Sequence, residues 1–252
     1  YISGGKRIMI SIFDIFKIGL GPSSSHTVGP MKAAAAFAER LVQQGLAAQT
    51  ERIAIEVYGS LALTGQGHGT FDALLLGLEG SLPEEIDLAA IAERLSRIRA
   101  RQQLQLGART ITFNVERDLH ILGGESLPKH PNGLRFHAYA SDGLELCAQV
   151  YYSVGGGFIV TDETFGQEAA AAAEVPYPFH SAAELLAQCR REQLNIAEVV
   201  LVNEMALSGD GEDKVRARVA AVSEAMEACI KRGLGSDGLL PGGLNVRRRA
   251  PQ

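Results

Sequence analysis

Ser23-Ser24-Ser25-His26-Thr27 sets four hydroxyls and one imidazole in unbroken succession, just ahead of an Ala-rich stretch with helical spacing. A helix N-terminus carries backbone N–H groups without intrahelical acceptors and the positive end of the helix dipole. Side-chain donors gathered there suit a carboxylate or a phosphate. A plainer account is also open, in which one serine caps the helix and the others are solvated. The second candidate is His68, within Gly67-His68-Gly69-Thr70. Glycines strip side-chain bulk from around the ring and let a substrate or another backbone come close. Imidazole has the ordinary pKa best suited to proton transfer near neutrality, so His68 is a candidate general base, with a surface turn histidine as the alternative. His120, His130, His137 and His180 occur singly and suggest structural or solvated roles. Gly155-Gly156-Gly157 lacks the strand-loop-helix setting of a phosphate cradle and reads as a turn.

These groups need elements to hold them. Gly21 to Thr27 reads as a polar loop, and Met31 to Gln44 as the helix it feeds. Arg52 to Tyr58 alternates Ile53, Ile55 and Val57 with Arg52, Ala54 and Glu56, the period of a half-buried strand. A second polar cluster, Gly65 to Thr70, separates this region from an apolar helical stretch, Ala73 to Leu78. Leu88, Ile91, Ala92, Leu95 and Ile98 predict an amphipathic helix over Asp87 to Gln103 with Asp87 as its cap. Thr110 to Val115, Leu134 to Ala140 and Leu144 to Val154 read as strands, the last two joined by a hairpin turn at Ser141-Asp142-Gly143, and Phe158 to Val160 adds an edge. Strands with interleaved helices predict an α+β fold, helices on one face of a mainly antiparallel sheet.

The composition shifts after Val160, where the alanine run Ala169 to Ala173 and then Pro176 and Pro178 read as a linker. Beyond it the pattern is helical. Ser181 and Glu184 have capping-box spacing ahead of Ala182 to Arg191, Asn195 opens a helix through Met205, and Glu212 to Lys231 carries Val215, Val219, Val222, Met226 and Ile230 on one face. The expected organisation is an upstream extension over 1–8, an α+β domain over 9–165, a linker over 166–178 and an incomplete helical domain over 179–252. With 24 Lys and Arg against 29 Asp and Glu, the net charge of −5 offers no surplus to neutralise a nucleic-acid backbone. Neither a long apolar run nor a signal peptide is found, so no membrane partner and a cytoplasmic location are expected. Cys147, Cys189 and Cys229 fit neither a disulfide framework nor a metal knuckle. They read as small buried hydrophobes, and no metal ligands are expected in this chain.

Several of these stretches closely resemble the bacterial iron–sulfur L-serine dehydratases. They are Ser11-Ile12-Phe13-Asp14 to Ile18, Gly21 to Met31 (GPSSSHTVGPM), Tyr58 to Thr70 (YGSLALTGQGHGT), Pro131 to Phe136 (PNGLRF), Asn203-Glu204 and Leu240 to Ala250 (LPGGLNVRRRA). One departure is visible: the family has an acidic residue directly after GHGT, where this chain has Phe71 and then Asp72. The resemblance implies an α+β domain similar to the substrate-binding domain of phosphoglycerate dehydrogenases, then a helical domain that binds a [4Fe–4S] cluster in the complete enzyme. It implies conversion of L-serine to pyruvate and ammonia, with the cluster as Lewis acid on the hydroxyl. His68 is then the base. Ser23, Ser24, Ser25, His26 and Thr27 hold the substrate carboxylate, and Asn203 supports the site. The family's cluster ligands are cysteines far toward the C-terminus, so this chain alone is expected to bind no cluster and to be inactive unless a second chain supplies that part. A homodimer is expected. The competing expectation is a regulatory module that binds serine or another small anion without chemistry, which has no use for a glycine-flanked base.

Overall fold

The computed structural model describes residues 10–167, 174–240 and 245–251; the expected extension over 1–8 and the alanine run of the linker lie outside them. The chain divides into two compact units, Ile18–Phe165 with Asp237–Ala250, and a helical one whose described residues are chiefly 10–17 and 174–236. The segment before Lys17, expected in the α+β domain, groups with the helices instead.

The first unit is built on seven strands, β1 Arg52–Tyr58, β2 Gln103–Leu106, β3 Arg109–Thr112, β4 Leu119–Leu122, β5 Gly133–Tyr139, β6 Glu145–Gly155 and β7 Phe158–Thr161. Among the described residues the α-helices are α1 Ile12–Ile15, α2 Gly29–Gln43, α3 Gly59–His68, α4 Thr70–Leu78, α5 Ile91–Arg101, α6 Val115–Asp118, α7 Ala182–Glu192, α8 Ile196–Ser208 and α9 Glu212–Gly235. The sheet runs β2-β3-β1-β5-β6-β7, with β4 also beside β1. One edge of β1 is shared: β3 meets it in parallel at Arg52, and β4 continues in parallel from Ile55 to Tyr58. The remaining pairings are antiparallel, so the class is α+β, as the strand and helix pattern predicts.

The period-two residues Ile53, Ile55 and Val57 are wholly buried, together with Leu134, Phe136 and Ala138 of β5 and Met31, Phe37 and Leu41 of α2. Phe37 stacks on Phe136 with ring centroids 5.2 Å apart. The apolar run of α4 supplies Leu74, Leu75, Leu76 and Leu78 to the same core. Each fully buried aliphatic or aromatic side chain here is worth roughly 1.5–3 kcal/mol of transfer free energy.

Four expectations change. The polar cluster Gly65 to Thr70 is not a loop: Gly65 to His68 complete α3, Gly69 turns the chain at φ 69°, and Thr70 opens α4. Asp87 does not cap α5, which starts at Ile91 behind Ala90; its carboxylate accepts from Ala89 N–H at 2.9 Å in the preceding turn. Strands β2 and β4, four residues each, were not among the expected strands. The cysteines are not uniformly buried, since Cys147 and Cys189 are partly accessible and Cys229 is exposed. The Gly155 to Gly157 turn holds: Gly155 ends β6, Gly156 and Gly157 lead into β7, and all three have positive φ.

The helical unit is organised by caps read in the sequence. Ser181 accepts from Glu184 N–H at 3.2 Å, and Asn195 and Glu198 close a full capping box. Ser11 caps α1 and donates to the Glu204 carboxylate of α8 at 2.6 Å, while Ile12 N–H donates to its other oxygen at 3.1 Å. No helix among the described residues is long and apolar enough to cross a membrane.

Candidate active site

The serine-rich segment is helical from its second residue. Ser23 is the N-cap, Ser24–Val28 form a π-helical turn, and the turn runs directly into α2. Thr27 N–H and Val28 N–H both donate to Ser23 O, at 3.0 and 3.3 Å, and His26 N–H donates to Ser23 Oγ at 3.2 Å. The opening N–H groups of Ser24 and Ser25 have no carbonyl one turn behind them, which leaves them for a ligand. A π turn at a helix start widens the backbone and re-aims consecutive side chains, here Ser25 and His26. Pro30 stands at the opening of α2, where its fixed φ suits the helix.

The π turn is locked from beneath by β6. Ser153 is fully buried; its hydroxyl donates to Ser25 O at 2.7 Å. The Ser153 backbone exchanges two bonds with Asn132, N–H to Asn132 O at 3.0 Å and carbonyl from Asn132 Nδ2 at 3.1 Å. Pro131 O in turn accepts from Ser60 N–H at 3.2 Å, at the start of α3. That approach requires Gly59: its φ is +50°, and a Cβ would stand 2.5 Å from Pro131 O.

The two histidine segments clamp each other through threonines. Thr27 Oγ1 donates to His68 O at 2.7 Å, and Thr70 Oγ1 donates to His26 O at 2.5 Å. Both threonines are buried. The imidazoles end with ring centroids 4.9 Å apart, tilted by 38°. His26 Nδ1 lies 2.9 Å from Ser25 Oγ and its Nε2 lies 3.0 Å from Ser60 Oγ. Burial, and then the Coulombic influence of the neighbouring His68, hold His26 below the ordinary imidazole pKa, which favours its neutral form.

His68 has its tautomer fixed by chemistry alone. Its Nδ1 lies 2.9 Å from Thr64 O, and a carbonyl oxygen can only accept. Nδ1 therefore carries the proton of the neutral ring, and Nε2 keeps the lone pair a general base needs. Ser60, Thr64 and His68 share one face of α3 at successive four-residue intervals. The helix that carries the base thus also carries the hydroxyl that meets His26.

Among the residues expected to form a site, Ser23, Ser24, Ser25, His26 and His68 come together in the first unit, with Ser24 exposed. Thr27 joins them as a clamp, its donor spent on His68 O rather than offered to a ligand. Asn203 belongs to the helical unit, where its side-chain amide accepts from Tyr177 N–H at 2.9 Å and donates to Tyr177 O at 2.7 Å. Ser60, Thr64, Asn132 and Ser153 were missed. Had Gly59–His68 been read as a helix, the spacing of Ser60 and Thr64 from His68 would have found two of them. Phe71, in place of an acid, packs with the core against Gly65, and Asp72 pairs with Arg99 at the surface. A cavity of about 450 Å³ in the helical unit is walled by apolar groups such as Ile12, Phe179, Val200 and Leu207, with Asn203 and Glu204 among its polar lining.

The family described as serine dehydratase beta chain matches residues 11–164. L-serine dehydratase 1 of Escherichia coli K12 is 45% identical over 244 residues, which is 96% of this chain and 53% of that protein. The L-serine dehydratase of Streptomyces coelicolor is 42% identical over 244 residues, and that of Mycobacterium tuberculosis 44% over 241, again 96% of this chain and 53% and 52% of theirs. The chain spans about half the length of the curated relatives it matches.

Proposed function

The chain belongs to the serine dehydratase beta chain family, and from that premise we propose that its first unit is the carboxylate-binding and proton-abstracting part of an L-serine dehydratase. The substrate carboxylate sits at the π turn, on the free N–H groups of Ser24 and Ser25 and the hydroxyls of Ser23, Ser24 and Ser25. His68 Nε2 takes the α-proton. The C–H electron pair becomes the Cα=Cβ bond as the β-hydroxyl departs, finally as water, leaving 2-aminoacrylate. That enamine tautomerises to the imine, and water releases ammonia and pyruvate without help from the protein.

The observation that carries this reading is the bond from His68 Nδ1 to Thr64 O, which leaves an unprotonated Nε2 beside an anion-favouring helix start. His26, with both ring nitrogens engaged by the hydroxyls of Ser25 and Ser60, hydrogen-bonds the serine loop rather than serving as a second base. Asn203, whose amide holds Tyr177 within the helical unit, is proposed as a supporting residue of the complete enzyme.

The resemblance assigns the hydroxyl's departure to a [4Fe–4S] cluster, which cysteine thiolates hold. Here Cys147 lies on β6 while Cys189 and Cys229 lie on α7 and α9, and among the described residues no three His, Cys, Asp or Glu converge. These residues do not fit the cluster. The complete enzyme, proposed as a cytoplasmic homodimer, takes further polypeptide of the kind that makes up the rest of its relatives, in the same chain or a second one.

The test is His68→Ala in the complete enzyme. Loss of kcat by roughly 10²–10⁴-fold with KM changed little is expected for a general base. Turnover retained with weakened L-serine binding would overturn the assignment and favour a binding module.

A further inference from the structure

We propose that Ser60 is a positioning residue for this site: by donating to His26 Nε2 it sets the ring's tautomer and so frees the Ser25 hydroxyl for the substrate carboxylate. The proposal rests on the reading of the π turn as the carboxylate site.

The geometry is a chain of three groups, Ser25 Oγ to His26 Nδ1 at 2.9 Å and His26 Nε2 to Ser60 Oγ at 3.0 Å. A neutral imidazole has one donor and one acceptor, so the chain has two arrangements. In one, Ser25 O–H donates to Nδ1 and Nε2–H donates to Ser60. The Ser25 proton is then used up, and the hydroxyl turns only lone pairs toward an anion. In the other, Nδ1–H donates to Ser25 Oγ and Ser60 O–H donates to Nε2. Ser25 Oγ can then accept from Nδ1 and still give its own proton to a carboxylate. An anion at the π turn favours the second arrangement, because a donor is worth more to it than a lone pair.

Ser60 is placed for this task. No other partner of its hydroxyl is found among the described residues, and its backbone is pinned at both ends, N–H to Pro131 O and carbonyl from Thr64 Oγ1 at 2.9 Å. Burial and the adjacent His68 favour the neutral form of His26 that the two-state chain requires. Ser60 acts through His26, while His68 lies two turns further along the same helix. Carboxylate binding and the helix of the base are therefore joined by a single ring.

The experiment uses the 252-residue chain with ring-labelled ¹⁵N-histidine and labelled backbone amides, titrated with L-serine near neutral pH. Shifts at the Ser24 and Ser25 amides report carboxylate binding independently of His26. With them, His26 Nδ1 should turn to the protonated, pyrrole-like type and Nε2 to the unprotonated type. Ser60→Ala should weaken L-serine binding about tenfold and abolish the tautomer change, and Ser60→Thr, which keeps the hydroxyl, should restore binding to within about threefold. Amide shifts without any change in the His26 ring, or full affinity in S60A, would overturn the role of Ser60 alone. Absence of amide shifts would remove the carboxylate reading and this proposal with it.

Discussion

Gly29, the first residue of α2 directly behind the π turn, leaves no room for added bulk. A Cβ at this position would run into Ser153 Oγ, the buried hydroxyl that donates to Ser25 O. Gly29→Ala should therefore cost about 1–3 kcal/mol in urea unfolding, the usual range for overpacking, and should weaken L-serine binding by displacing Ser25. Ser153→Ala removes one buried bond and should cost about 1 kcal/mol. Because the two residues meet, the double variant G29A/S153A should be more stable than additivity predicts. Simple additivity would mean that the turn moves without Ser153. This pair also marks where residue-level reading ends. Ser23 to Thr27 and His68 stood out because their chemistry is concentrated in a few consecutive positions. Ser153 acts on Ser25 across 128 positions and Ser60 on His26 across 34, distances that no local pattern carries.

Among the elements that build the site, α3 was hidden in plain sequence. Gly65 and Gly67 inside it each disfavour a helix by about 1 kcal/mol relative to alanine, and together with Gly69 they imitate a loop. Tertiary contact explains Gly65: a Cβ there would press within 2.9 Å of the Phe71 ring, so the glycine lets α3 and α4 close against each other around Gly69. Strand β1, α2 and the capped helices α7 and α8 were legible because their periods and caps are local signals. The docking of α5 was not. It hangs on Glu79, only 3% exposed at the end of α4, which receives Arg94 at 3.0 Å, Arg97 at 2.5 Å and Gln105 N–H at 3.1 Å. One carboxylate thus ties α4, α5 and β2. Glu79→Ala leaves two half-buried guanidinium groups and a strand N–H without their acceptor, and a loss of about 3 kcal/mol is expected. If urea unfolding moves by less than about 1 kcal/mol, water replaces the carboxylate and the tie is not structural.

On the scale of the molecule, the family resemblance covered both units, and structure divides what its motifs do. The Ser11 to Asp14 stretch and Asn203-Glu204 meet each other within the helical unit, whereas GPSSSHTVGPM, YGSLALTGQGHGT and PNGLRF build the candidate active site. The unit carrying that site has a built-in acid limit at Asp118, whose side chain is fully buried where β4 joins β1. Burial alone would raise its pKa, but bonds from Arg117, Asn114 N–H and Arg52 outweigh burial and hold it below the ordinary carboxylate value. The folded pKa is lower than the unfolded one, so the contribution is fully present above about pH 4 and disappears as pH falls through the folded value. Hydrogen exchange of the β1 amides, followed from neutrality downward, should accelerate across that window in the wild type. Asp118→Asn cannot titrate: it should exchange faster already at neutral pH, by an amount equivalent to roughly 1–3 kcal/mol, and show a flatter acid dependence. An acid limb of the same slope in both proteins would place the acid sensitivity of this unit in other carboxylates.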